Sequence, residues 1–550
     1  MQIKQAVTVW AAGLAPLIAS ARSHIPVTGA SIDSESNDVP MRMNINDLYA
    51  KKGPQWELYL LALKSLQLKD AHDPLSYFQI AGIHGAPWIE WNNAGPERAT
   101  GWQGYCPHGE NIFLSWHRPF VLLFEQALIE EAKRIAKKYP DDHRTEYMQA
   151  AETLRSPYWD WSADSDVPPC TVPRRLDIHV PNGNQLRHVS IDNPLHKYDY
   201  PEAAMRGEFG WTPSTSSTTR CPAPERYPDS ANSRLAQRGL RQNTYDAFTY
   251  SQNFDEFATT RQNGMGLEEM HNLIHWDAGC EGQFLDLTTS GFDPLFMLHH
   301  THVDRLWTYW QFINPSEAIF KSPYYGQSRF STPEGAVITP DSPLEPFYDA
   351  NKTQWTSNKV VGIEGLGYTY QGLEYWRKPG EQLQQDAVRL MNLLYAPEWA
   401  SSWGKRTIKA TKRYFARVEL DRKQVERPCS VHVLMNGKAA GSVVVMKFPE
   451  AGILHGSVAL DDQMMNAFEQ VSTSNGTMRS VEHLITMEIR KLDGTMIPLD
   501  SVKSLKLTLE EVSVKPAKTD AEFPKPGESK KHVVGVVGKQ RPTTTGNSTQ

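Results

Sequence analysis

Histidines gather in two parts of this chain at spacings that can hold metal ions. In "EEMHNLIHWD", His271 and His275 stand four apart on a helical pattern, which brings both imidazoles to one helix face where they can share an ion. Downstream, "DPLFMLHHTHVDRLWTYWQ" carries the adjacent pair His299 and His300, with Asp304 one turn after His300. The first half of the chain holds a second cluster: His84 in "YFQIAGIHGAPW", His108 in "GYCPHGENIFL" and His117 in "SWHRPF". Each cluster offers three imidazoles to one ion. Three neutral imidazoles suit Cu, Zn, Fe or Ni. Two such sites without carboxylate or thiolate ligands favour copper, and a copper pair can take dioxygen between its ions; a zinc hydrolase would add a carboxylate and need one site only. Most of the other histidines, among them His72, His143, His179, His188, His432 and His532, fall in no such pattern and read as incidental.

The elements that must position these residues are helical. Apolar residues recur near the helical period from Asn46, at 117–137, at 267–276 and at 296–312. His84 closes one helical pattern at Gly85 and His117 opens another. Between them run long loops rich in Pro, Ser and Asn, notably 163–235. The pattern changes near residue 408. "RYFARVELD", "SVHVLMNGKAAGSVVVMKF", "HLITMEIRKLDGTMIPL" and "SLKLTLEEVSV" alternate apolar and polar residues, and Asn436-Gly437 and Asp493-Gly494 are two-residue hairpin signals. The expected division is a catalytic domain over 22–380, a linker over 381–407, a β-rich domain over 408–515 and a disordered tail over 516–550.

The chain opens with a Lys near its start, an apolar run from Ala6 to Ile18 and the small-x-small triplet Ala19-Ser20-Ala21, which reads as a secretory signal peptide over 1–21. Sequons at Asn351, Asn475 and Asn547 agree with secretion to the extracellular space or cell wall. No later run is long and apolar enough to span a bilayer. A net charge of -6 over 550 residues points to neither a nucleic-acid nor a membrane-surface partner. Five cysteines is an odd number, so one thiol of a secreted chain needs another explanation than a disulfide, and Cys106, two residues before His108, is the candidate.

Residues 24–380 resemble a fungal tyrosinase, a type-3 dicopper polyphenol oxidase. The resemblance rests on "AGIHGAPW", "GYCPHGENIFLSWHRPF", "HNLIHWD" and "FDPLFMLHHTHVDRLW", in that family's order and spacing. "GLGYTYQGLEYW" at 365–376 is similar to the tyrosine motif closing the family's catalytic domain, and Arg42 to the N-terminal Arg packed against it. The implied fold is mainly α, a four-helix bundle around a dicopper site with long loops, followed by a β-sandwich-like domain that covers the active site in latent members. The implied ligands of two copper ions are His84, His108 and His117 for one and His271, His275 and His300 for the other, His300 being preferred to His299 because it precedes Asp304 by four. The resemblance also implies a thioether between Cys106 and His108, leaving four cysteines for disulfides, with Cys221–Cys280 one pairing. Glu268 and Asn272 are implied to hold the water that takes a phenol's proton, and the hairpin end at Phe448-Pro449 to fill the substrate position.

The expected activity is therefore oxidation of small phenols by O2: ortho-hydroxylation of monophenols and oxidation of o-diphenols to o-quinones, in pigment or melanin formation. The alternatives are a catechol oxidase without the monophenol step, a hemocyanin-like O2 carrier with the same six ligands, and a related fold using another metal. The loop "WDAGCEGQF" after His275 departs from the Gly-, His- and Met-rich loop of many tyrosinases, which leaves substrate choice open. A homodimer is compatible with this reading, and the oligomeric state is open.

Overall fold

The computed structural model describes residues 24–32, 38–397, 400, 411–470 and 478–534. The expected signal peptide over 1–21 and the sequons at Asn475 and Asn547 lie outside the described residues.

The catalytic body is built on helices Pro54–Gln67, Phe113–Ala136, Leu267–Gly279 and Leu295–Ile313. The Phe113–Ala136 helix packs on both the Pro54–Gln67 and Leu295–Ile313 helices, so it is buried on nearly all its faces rather than along one stripe. Leu267–Gly279 is buried throughout, including the polar face formed by Glu268, His271, Asn272 and His275. Pro54 opens its helix at the first turn, where a missing N–H costs nothing, and Ser76 caps the short helix Tyr77–Gly82 by accepting the Gln79 N–H. That short helix delivers His84. Gly85 follows because the chain at Thr288 crosses there: a Cβ on Gly85 would lie 2.4 Å from the Thr288 carbonyl oxygen.

One buried ionic cluster ties the N-terminus, the bundle and the tyrosine motif together. Asp304 accepts from Arg118 Nε (2.6 Å), Arg42 Nη1 (2.9 Å), Tyr368 OH (2.7 Å) and Tyr370 OH (2.9 Å). Arg42 also reaches Glu125 (2.8 Å) and lies 3.5 Å over the Tyr368 ring. The Arg118 and Arg42 guanidinium groups hold the Asp304 carboxyl below its usual range against the opposing effect of burial.

The C-terminal part is a sandwich of two four-stranded antiparallel sheets. Strand Thr411–Asp421 lies between Ile453–Ala459 and Lys506–Lys515, and the second sheet is centred on Cys429–Met435 and Ile485–Lys491. Its core is a separate apolar cluster including Val418, Val431, Val443, Ile489 and Leu507. Asn436 and Gly437 both take positive φ (51° and 74°), the geometry a two-residue hairpin requires.

Two boundaries differ from the sequence reading. The expected linker over 381–407 begins as a helix, Gly380–Tyr395, packed on Leu295–Ile313; Leu383, Ala387, Leu390, Met391 and Tyr395 are buried, and the Tyr395 OH donates to Asp160 (2.9 Å). Those positions follow a helical period that the surrounding Gln, Glu and Asp residues mask. The expected disordered tail over 516–550 supplies the edge strand Lys525–Val534, paired antiparallel with Lys506–Lys515. Asn392 donates to the carbonyls of Asp520 and Glu522, holding the approach to that strand against the body. An edge strand exposed on both faces has no apolar alternation to read, so its Lys- and Ser-rich sequence looked unstructured. The stretch 163–235 also contains structure: a hairpin, Arg175–Asn182 with Gln185–Asp192, and the helix Asp229–Leu235.

Candidate metal centre

All six expected ligand histidines are buried in the middle of the bundle. The ring centroids of His84, His108 and His117 lie 5.3 to 5.8 Å apart. Those of His271, His275 and His300 lie 4.5 to 5.9 Å apart. The donor atoms of His271, His275, His299 and His300 fall within 4.8 Å of one another, as do those of His84, Cys106 and His108. His117 sits outside the tighter first set and stacks on His300 at 4.3 Å, joining the two groups.

Hydrogen bonds fix which nitrogen of each ring is free. His117 Nδ1–H donates to the Phe113 carbonyl (2.7 Å), His275 Nδ1–H to the Phe284 carbonyl (2.6 Å) and His271 Nδ1–H to Asn272 Oδ1 (3.0 Å). Each bond leaves the Nε2 lone pair pointing inward, the usual arrangement behind a metal-bound imidazole. Nε2 of His84, His108, His117 and His275 is buried without a protein partner. The Nε2 atoms of His271 and His300 face each other at 3.2 Å. Burial drives His117 down to about 3 and His275 to about 4, and it holds the other four rings well below their usual value, so all are neutral. Buried, neutral, unpartnered imidazole nitrogens converging in two groups fit two copper ions.

His299 is distinguished by its partner. The Trp161 indole N–H donates to His299 Nδ1 (3.1 Å). The neutral ring must then carry its proton on Nε2 and has no lone pair there for a metal. This favours His300 on grounds independent of the Asp304 spacing. His302 turns away, its Nε2 3.2 Å from Ser162 Oγ.

Cys106 Sγ lies 3.3 Å from His108 Nδ1, so the fold brings the expected thioether partners together. Cys221 and Cys280 form a disulfide, but the other two of the four cysteines left for disulfides do not pair: Cys170 and Cys429 are buried free thiols, pushed up to about 12 by burial.

Glu268 and Asn272 both border the centre, yet neither has a free oxygen face in this form. Glu268 Oε1 accepts the Gly109 N–H, and Oε2 accepts the Thr260 N–H (3.1 Å) and hydroxyl (3.3 Å). Burial raises the Glu268 carboxyl. Thr260 and Arg422 were not legible as site residues. Arg422, on the β sandwich, is buried and donates from Nη2 to Thr260 Oγ1 (2.9 Å), and the His455 N–H donates to the Thr260 carbonyl (2.9 Å). Phe448 packs on Trp102 at 4.7 Å, and with Pro449 lines a cavity of about 270 Å³ shared with Cys106 and His108. Gly109, at φ +63°, touches Pro449 so closely that a Cβ would sit 2.9 Å from its Cγ. Trp276 is buried.

Residues 74–313 match the profile of the common central domain of tyrosinase. The chain is 33% identical over 426 residues to a tyrosinase of Podospora anserina, covering 71% of this chain and 72% of that one. It belongs to the tyrosinase family. A polyphenol oxidase of Agaricus bisporus is 33% identical over 368 residues, 64% of each chain. The fold is that of mushroom tyrosinase (TM-score 0.78, 21% identity, covering 94% of this chain and 100% of that one) and of Aspergillus oryzae apo-protyrosinase (0.74, 21%, 92% and 97%). This tyrosinase-family chain is thus a copper-dependent, phenol-oxidising enzyme with two copper ions, and its two buried histidine groups could hold them.

Proposed function

We propose that this enzyme converts monophenols to o-diphenols and these to o-quinones, using O2, with copper held by His84, His108 and His117 and by His271, His275 and His300. The observation that carries the reading is the pair of converging imidazole groups, in which Nε2 of His84, His108, His117 and His275 is unpartnered and those of His271 and His300 meet each other at 3.2 Å. Bound copper supplies the electron exchange with O2, and the overall change is phenol + O2 → o-quinone + H2O. The remaining work belongs to the chain. Carbonyls of Phe113 and Phe284 fix two rings, and Phe113 packs 4.7 Å from His117 and 4.9 Å from His271, excluding water between them. In this reading Glu268, its carboxyl raised by burial, takes the phenol proton once its present partners yield. Cys106, joined to the His108 ring through a carbon–sulfur bond with loss of two hydrogens, would restrain that ligand.

A second reading, a catechol oxidase without the hydroxylation step, is favoured by one observation: both Glu268 oxygens and Asn272 Oδ1 are engaged. Copper-loaded protein trimmed of the sandwich, offered a simple monophenol and the matching catechol, separates the two. Quinone from both supports the first reading, and quinone from the catechol alone supports the second.

The β sandwich acts in this reading as a latch over the centre. Phe448-Pro449 on the His108 loop, Arg422 on Thr260, and the Arg413–Asp246 pair support it. The setting is secretion, supported by the N-terminal segment over 1–21 and by Asn351, which is exposed in a turn; pigment formation is the proposed role.

A further inference from the structure

The hairpin Arg175–Asn182 and Gln185–Asp192 stands in the stretch that the sequence reading treated as loop. Its two-residue turn, Gly183-Asn184, fixes the register and sets His179 directly opposite His188. Both histidines face solvent. Their ring centroids are 5.3 Å apart, the same separation as His84 and His108 in the metal centre of this molecule. Asp177 is exposed on the same face, one pleat along the strand.

One ring is already oriented. His179 Nδ1 lies 2.8 Å from Glu57 Oε1, and because a carboxylate only accepts, the Nδ1 carries the proton and the Nε2 lone pair is free. Glu57 is 4% exposed and is itself held: it takes the His179 backbone N–H (3.0 Å) and the Tyr147 hydroxyl. A buried, fixed carboxylate behind an imidazole that lies beside a second imidazole is an arrangement that supports metal-bound histidine.

We propose that His179 and His188 form a second metal site, for a borderline divalent cation such as Zn(II), with Glu57 as the positioning residue behind His179. Water completes the coordination. Imidazole pairs take zinc and leave the hard cations Mg(II) and Ca(II) in solution. The site clips the two strands together and ties the hairpin to the Pro54–Gln67 helix through Glu57.

The test is calorimetric titration of tag-free, copper-loaded full-length protein with Zn(II). Copper binds nitrogen sites more tightly than zinc, so the buried catalytic pair is not displaced, and an EDTA wash after copper loading clears copper from the exposed hairpin before the titration. One saturable zinc site per chain, absent with Mg(II), is expected. His188→Gln and His179→Gln should each weaken it by at least about tenfold, and Glu57→Gln by about tenfold, the range for loss of an outer hydrogen-bond partner. Thermal melting without zinc shows that each variant is folded. Failure of wild-type protein to bind zinc saturably overturns the proposal, as does unchanged affinity in both folded histidine variants.

Discussion

Replacing Arg413 with Met should open the latch without a protease. Arg413 lies on the first strand of the sandwich and Asp246 on the catalytic body; they meet through two bonds of 2.8 Å, with side chains 2% and 0% exposed. Arg413 also holds Asp461 within its own domain, a bond lost equally whether the sandwich is docked or not. In the docked variant Asp246 keeps the Gln242 amide (2.9 Å) but loses its guanidinium partner and stays buried, while undocking returns it to water. Removing one partner of a buried pair costs about 3–5 kcal/mol, and about 1.4 kcal/mol is a factor of ten. The docking equilibrium therefore moves by about 100- to 4,000-fold toward the open state. The rate of quinone formation from a bulky o-diphenol should rise by that factor in uncut protein, capped at the rate of the trimmed enzyme. Adding Asp246→Leu should lower the gain, because no charge is then left buried. Uncut Arg413→Met protein with wild-type copper content and melting, yet wild-type activity, would refute the reasoning.

Three further outcomes are expected. His117→Ala or His275→Ala should reduce oxidation to background together with a fall in copper per chain, checked by metal analysis beside the catechol assay; full activity in either variant contradicts the ligand set. The tryptic peptide holding Cys106 and His108 should be lighter than its sequence by two hydrogens and should resist alkylation, as read by intact peptide mass. Asp304→Asn should destabilise the body by about 3–5 kcal/mol at pH 7. Because Arg118 and Arg42 depress the native Asp304 value, its stabilisation is complete above the unfolded value near about 4 and is lost as pH falls through the lower native value, so the melting difference from wild type should shrink under acid.

Local pattern carried a good deal of this protein. The four-residue spacing of His271 and His275, the change from helical to alternating periodicity near residue 408 and the Asn436-Gly437 turn each follow from short-range geometry that residue type controls directly. The histidine clusters were legible because imidazole is a rare, chemically specific side chain. Tertiary structure decided the partners. The proton on His299 is set by Trp161, distant in sequence, and the rings of His117 and His275 are oriented by backbone carbonyls that every residue possesses and no motif marks. Strand Lys525–Val534 exists because Lys506–Lys515 offers it hydrogen bonds, not because its own residues prefer a sheet. Arg422 on Thr260 and Arg413 on Asp246 are contacts between distant segments, and a charged residue reads as solvent-facing until the fold buries its counterpart beside it.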